Sequence, residues 1–126
     1  MAICPPGPII LLGKSFGGAM ATLVLDGSGA VGCVALGYPL INPLTRWDRL
    51  THLAELVKPC WMIQAADDAY GGQSLVQALL LSPSIQFHWI ANCDHGFCPT
   101  LSDRGADAIM EQLHLAIQMV LLELLD

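Results

Sequence analysis

PIILLGKSFGGAMATLVLD, residues 8 to 26, decides the fold. Pro8 to Leu12 is an uninterrupted apolar run of strand length. The turn Gly13-Lys14-Ser15-Phe16-Gly17-Gly18 follows without a spacer. From Phe16 the apolar positions Phe16, Ala19, Met20, Leu23 and Val24 recur at helical spacing until Gly27-Ser28-Gly29 stops them. The stretch reads as strand, sharp turn, helix. A serine in such a turn, with small residues around it, is what a nucleophile elbow needs: strained angles at the serine, and glycines where strand and helix come close. The Ser15 hydroxyl is then lifted above the strand end, and the N–H of Phe16 becomes one donor for an oxyanion. Gly-Lys-Ser also ends a phosphate-binding loop, but that motif starts with a glycine where this chain has Pro8.

Outward from the elbow the pattern repeats. Val31 to Leu36 is a continuous apolar run, as in a strand covered on both faces. Pro43 to Val57 contains a helix carrying Leu50, Leu53, Leu56 and Val57, and Cys60 to Gln64 is a third strand. Ser74 to Leu81 suits a helix stopped by Ser82-Pro83, Ile85 to Ile90 is a fourth strand, and residues 91 to 99 form a loop. A long helix runs from Asp103 to Leu125, capped by Ser102 or Asp103. Its main stripe is Ala106, Ile109, Met110, Leu113, Ile117, Val120, Leu121 and Leu124. Strands alternating with helices predict an α/β fold with about four parallel strands in simple sequence, flanked by helices, in a single domain spanning residues 1 to 126.

In such a sheet the functional edge is where strands deliver their C-terminal ends. Ser15, the pair Asp67-Asp68 and His95 each follow a predicted strand. A serine hydroxyl needs a base to take its proton, and His95 is the one histidine placed in a loop after a strand; His52 and His114 fall in predicted helices and His88 within a strand. A carboxylate must orient the imidazole, and the residues alone leave Asp67 and Asp68 both open. Serine, acid, histidine is also the chain order of α/β-hydrolases.

Composition narrows the rest. Only 13% of residues are charged, the formal net charge is −6, and no Lys/Arg cluster tracks a phosphate backbone, so nucleic acid is not an expected partner. No basic leader segment and no long uninterrupted apolar stretch is read, so a cytoplasmic protein without a membrane partner is expected. Five cysteines, an odd number without CxxC spacing, read as small core residues. Cys93, His95 and Cys98 offer soft ligands, but a structural zinc site usually needs a fourth ligand and shorter spacing, so neither metal nor cofactor is expected.

Taken together these motifs resemble the small bacterial α/β-hydrolases of the dienelactone-hydrolase-like kind. The elbow, Gly37-Tyr38-Pro39-Leu40 after the second strand, Arg49-x-x-His52-Leu53 before the third, Gln64 to Gly71 as the acid loop and Asp94-His95-Gly96-Phe97 carry the resemblance. Position by position it puts the acid on Asp68 and the base on His95, giving a triad of Ser15, Asp68 and His95. It implies a serine esterase acting on small or short-chain esters through an acyl-enzyme, with Phe16, Tyr38, Leu40, Tyr70 and Phe97 as oxyanion or pocket residues. Family members carry further strands ahead of the elbow, including the loop that supplies the second oxyanion N–H. In this truncated form Pro8 to Leu12 becomes an exposed edge, and a bare apolar edge invites association. A homodimer joined edge to edge into a larger sheet is therefore expected, with Leu115, Met119, Leu122 and Leu125 and a mean hydropathy of +0.56 supplying further apolar surface. The rival expectation is a non-catalytic interaction module that keeps the fold without useful turnover.

Overall fold

The four apolar runs pair in the order in which they occur. In the computed structural model, which describes residues 5–41, 48–100 and 105–126, strands β1 (Ile10–Lys14), β2 (Gly32–Leu36), β3 (Cys60–Ala65) and β4 (Ile85–Ile90) form one parallel sheet in the order β1-β2-β3-β4. Lys14 lies beside Leu36, Leu36 beside Ile63 and Ile63 beside His88. Alternate residues feed two cores. Cys33, Ala35 and Met62 pack with Ala19 and Leu25 of α1 (Phe16–Leu25). Val34, Ile63 and Ala65 pack with Ile109, Leu113, Ala116 and Val120 of α3 (Gly105–Leu125). Cover on both faces is why β2 and most of β3 lack polar alternation.

Several elements differ from their sequence reading. The first strand runs two residues later than Pro8 to Leu12, because Pro8 has no N–H for the ladder and the extended backbone must continue through Gly13 and Lys14 to reach the elbow. On α1 the buried residues are Gly18, Ala19, Thr22 and Leu25, while Phe16, Leu23 and Val24 are exposed. The elbow fixes that rotation by setting Gly18 against Ala35, where an added Cβ would stand 3.1 Å from the alanine's.

The helix expected within Pro43 to Val57 lies partly outside the described residues. From Asp48 onward the chain makes only a 3-10 turn, Thr51–Ala54, burying Leu53 and Leu56 and leaving Val57 exposed. The helix expected over Ser74 to Leu81 is a single turn, α2 (Gln73–Val76), after which Ala78 and Leu79 donate to carbonyls three residues back and tighten the chain. The predicted cap of α3, Ser102 or Asp103, lies outside the described residues. The helix buries Ile109, Leu113, Ala116 and Val120 at spacings of four and three, which turns Ala106 and Met110 outward. By length and composition α3 could cross a bilayer; in this fold its apolar stripe covers β2, β3 and β4.

The β1 edge of the sheet is open. β1 is an edge strand, and Ile9, Leu12, Phe16, Leu23 and Val24 around it are all exposed. Leu122 and Leu125 of α3, also exposed, line with Gln118 and Leu121 an apolar groove of about 410 Å³. Cys33, Cys60 and Cys93 are buried free thiols and Cys98 an exposed one; Cys4 lies outside the described residues. The neighbouring Cys33, and then burial, push the Cys60 thiol up.

Candidate active site

Three loops leave the C-terminal ends of β1, β3 and β4 and meet above the sheet. Ser15 comes first. Its φ of 52° and ψ of −117° lie in a region that side chains rarely occupy, a conformation costing about 1–3 kcal/mol that surrounding structure must hold in place. The N–H of Ser15 donates to the carbonyl of Leu36 at 2.8 Å, and its carbonyl accepts from Ala19 at 3.2 Å, locking the turn to β2 on one side and to α1 on the other. Gly13 allows the fold: a Cβ there would stand 2.3 Å from the backbone carbonyl carbon and oxygen of Gly17.

The acid loop is built around two buried polar side chains. Gln64, fully buried at the end of β3, accepts from the Tyr38 N–H and donates to the carbonyl of Gly71 at 2.9 Å, tying the loop after β2 to the loop after β3. Asp68 then turns inward while Asp67 stays exposed. Asp68 Oδ1 accepts the Tyr70 N–H at 2.7 Å, and Oδ2 lies 2.7 Å from His95 Nδ1. The carboxylate is completely buried, whereas the His95 side chain keeps 22% of its surface.

His95 sits on a turn organised by the residue before it. Asp94 Oδ1 accepts the N–H groups of Gly96 and Cys98 at 3.0 and 2.9 Å, and Phe97, with a φ of 62°, folds back to be buried. Gly37 makes room for the loop: its φ is 62°, and a Cβ would stand 3.0 Å from the His95 carbonyl oxygen. The imidazole reaches Ser15, with Nε2 3.0 Å from the serine Oγ. Because Nδ1 faces a carboxylate, which only accepts, the ring proton belongs on Nδ1 and the lone pair of Nε2 faces the serine hydroxyl. Tyr70 packs against the same ring with centroids 4.7 Å apart.

Beside Ser15 and His95 opens a cavity of about 200 Å³, lined further by Phe16, Pro39, Arg49 and Tyr70. Phe16 and Tyr70 thus stand where the sequence reading placed pocket residues. Tyr38, Leu40 and Phe97 do not: they are core residues. Tyr38 turns down to donate its hydroxyl to the Arg49 carbonyl at 2.7 Å, and burial pushes its phenol up to about 12. Leu40 fills the space beside Gly71, and Phe97 is carried inward by its turn. Pro39 and Arg49 were missed as lining residues, although Arg49 stands in the short Arg-x-x-His motif noted above.

The comparisons agree on the architecture. The model of a family described as an alpha/beta hydrolase domain matches residues 2–121. No curated protein matches the chain. Among solved structures, an alpha-beta serine hydrolase homologue from Coxiella burnetii is similar with a TM-score of 0.65 and 18% identity, over 88% of this chain and 48% of that one. The esterase domain of a Rhodothermus marinus protein is similar with a TM-score of 0.54 and 17% identity, over 79% of this chain and 55% of that one. The chain thus spans about half the length of the solved structures it resembles.

Proposed function

This chain belongs to the α/β-hydrolase family, and from that premise we propose that it is a serine esterase that cleaves small or short-chain esters through Ser15, His95 and Asp68. The observation that carries the reading is the continuous hydrogen-bonded chain from the Ser15 hydroxyl through His95 to the buried Asp68 carboxylate. Ser15 Oγ attacks the ester carbonyl carbon as His95 Nε2 takes its proton. The tetrahedral intermediate collapses with that proton passing to the departing alcohol, leaving an acyl-serine; water, deprotonated by the same nitrogen, then releases the acid. Asp68 holds the imidazole and stabilises its charged form.

A cavity of about 200 Å³ is smaller than the roughly 300–1,000 Å³ of most ligand sites, which favours a short acyl chain. Phe16, at the first position of α1, offers one oxyanion N–H. A missing second donor typically costs about 10²–10³ in rate, so slow turnover is expected unless that donor is supplied from beyond β1. We assign that role to a second copy packed edge to edge on β1, in a cytoplasmic setting. Sedimentation at micromolar concentration showing only monomer would remove the dimer. The exposed edge beside Ser15 favours one other reading, a hydrolase-fold interaction module without turnover. A fluorophosphonate probe separates the two: labelling of the wild type and not of Ser15→Ala, with parallel loss of 4-nitrophenyl acetate hydrolysis, supports the esterase, and an unlabelled wild type refutes it.

A further inference from the structure

The His95 imidazole has two polar tethers, Asp68 at Nδ1 and Ser15 at Nε2. Only one of them lasts through the reaction proposed above. Once Ser15 Oγ is part of an acyl ester it has no proton to offer, yet the imidazole must stay aimed while Nε2 deprotonates the incoming water. A single hydrogen bond at Nδ1 leaves the ring free to pivot about that contact. Some other group must hold its far end.

Tyr70 stands where that support is needed. Its ring centroid lies 4.7 Å from that of His95, with the planes inclined at 53°, within the roughly 4.5–7 Å of favourable aromatic pairs. It also lines the cavity shared by Ser15 and His95. The backbone beneath the ring is clamped from several sides: the Tyr70 N–H donates to Asp68 Oδ1 at 2.7 Å, and its carbonyl accepts the Ile41 N–H at 2.8 Å. Gly71 completes the clamp. With a φ of 147°, it donates its N–H to the Asp68 carbonyl at 3.1 Å and accepts the buried Gln64 amide at 2.9 Å. A Cβ on Gly71 would stand 2.7 Å from the Leu40 side chain, so the turn fits closely against the loop after β2. The turn that carries the acid therefore also carries a ring set against the base. None of these ties involves Ser15.

We infer that Tyr70 is a positioning residue for His95 that acts chiefly in deacylation, its ring keeping the imidazole aimed when the serine tether is gone. The inference rests on the esterase reading and assigns one step of it. The aromatic ring carries the effect, and the hydroxyl is not required. A residue that served only as a wall of the cavity would instead act on the ester before the acyl-enzyme forms.

The test follows 4-nitrophenyl acetate on the full chain through both halves of the cycle. The burst of 4-nitrophenol reports acylation; decay of acetyl-Ser15, read by intact mass spectrometry after excess ester is removed, reports deacylation. Tyr70→Leu should slow the decay about three- to tenfold, the size of an aromatic-pair contribution, with a smaller loss in the burst rate. Tyr70→Phe should restore most of the lost decay rate. Equal slowing of both phases, an undiminished decay rate or no rescue by Tyr70→Phe overturns the inference and leaves the esterase standing. A second readout needs no acyl-enzyme, so it decides even where acylation is too slow to give a burst. The His95 Nδ1 proton facing Asp68 gives a far-downfield NMR signal that should persist in Ser15→Ala and broaden when Tyr70→Leu is added. Loss of the signal in Ser15→Ala alone, or a signal equally sharp in the double variant, also overturns the inference. Failure of the esterase itself has a separate signature, equal hydrolysis by wild type and Ser15→Ala.

Discussion

The two flanks of Ser15 are unlike. On the β2 side each backbone turn is tied to another: Ser15 to Leu36, Gly37 to Ile63, Tyr38 to Gln64 and Gln64 to Gly71. On the β1 side Leu12, Phe16 and Val24 are more than half exposed, and the outer edge of β1 pairs with no strand among the described residues. One flank therefore holds its acid, base and arginine with little freedom, while the other offers a helix N-terminus beside an apolar surface. Positioning of the imidazole is intrinsic to this chain. In the proposed reading, stabilising the oxyanion and covering the edge fall to a second copy.

The sharpest way to break that comparison is at Asp68. Asp68→Asn keeps the shape of the buried side chain but favours the wrong imidazole tautomer. It should lower kcat for ester hydrolysis by about 10⁴ while leaving the thermal midpoint within a few degrees. A loss below about tenfold would mean that the tied flank does not set the chemistry.

A second contrast uses one kind of substitution on both sides. Ile63 is fully buried on β3, so Ile63→Ala should cost about 2–5 kcal/mol in urea titrations. Leu12 on β1 is 57% exposed, and Leu12→Ala in an isolated chain should cost less than about 0.5 kcal/mol. With a second copy on the edge, the Leu12 cost instead rises with protein concentration, because association stabilises by mass action. A concentration-independent loss of several kcal/mol at Leu12 would contradict an open edge.

How much of this was legible in the sequence follows the same division. The β2 run and most of the β3 run are apolar, and these two and the β4 run, which includes Gln86 and His88, are bounded by turn residues, so their place in a parallel sheet was readable, as was the delivery of Ser15, Asp68 and His95 to one end of it. Apolar periodicity misplaced the face of α1. It weighs Phe16, Leu23 and Val24 as core, whereas the elbow rotates the helix so that Gly18 and Thr22 meet the sheet. A local geometric constraint outranks hydrophobicity there, and the displaced side chains become the open flank. The pocket was half legible for a related reason. Tyr38 and Leu40 stand in a strand-end loop, as pocket residues do, but the side chains of that loop point alternately up and down, and only coordinates reveal that Pro39 faces the cavity between two core residues.

The smallest effect concerns His52, behind the tied flank. Thr22 donates its hydroxyl to the Ala19 carbonyl at 2.9 Å, so at the 2.8 Å contact with His52 Nε2 the imidazole is the donor. The neutral ring therefore carries its proton on Nε2. Burial pushes its pKa below the usual histidine value, against a smaller upward pull from Asp48. A histidine lowered on folding binds a proton more readily in the unfolded chain, so its contribution is fully present above the unfolded value of about 6.5 and is lost as pH falls through the folded value. Folding stability should thus decline gently on acidification below pH about 6.5, and His52→Gln should flatten that decline while keeping a donor to Thr22. Ile9, Leu12, Phe16, Leu23 and Val24 carry no titratable group, so edge association should not follow the same curve. If sedimentation and denaturation shift together with pH, and the shift persists in His52→Gln, the two flanks are coupled rather than independent.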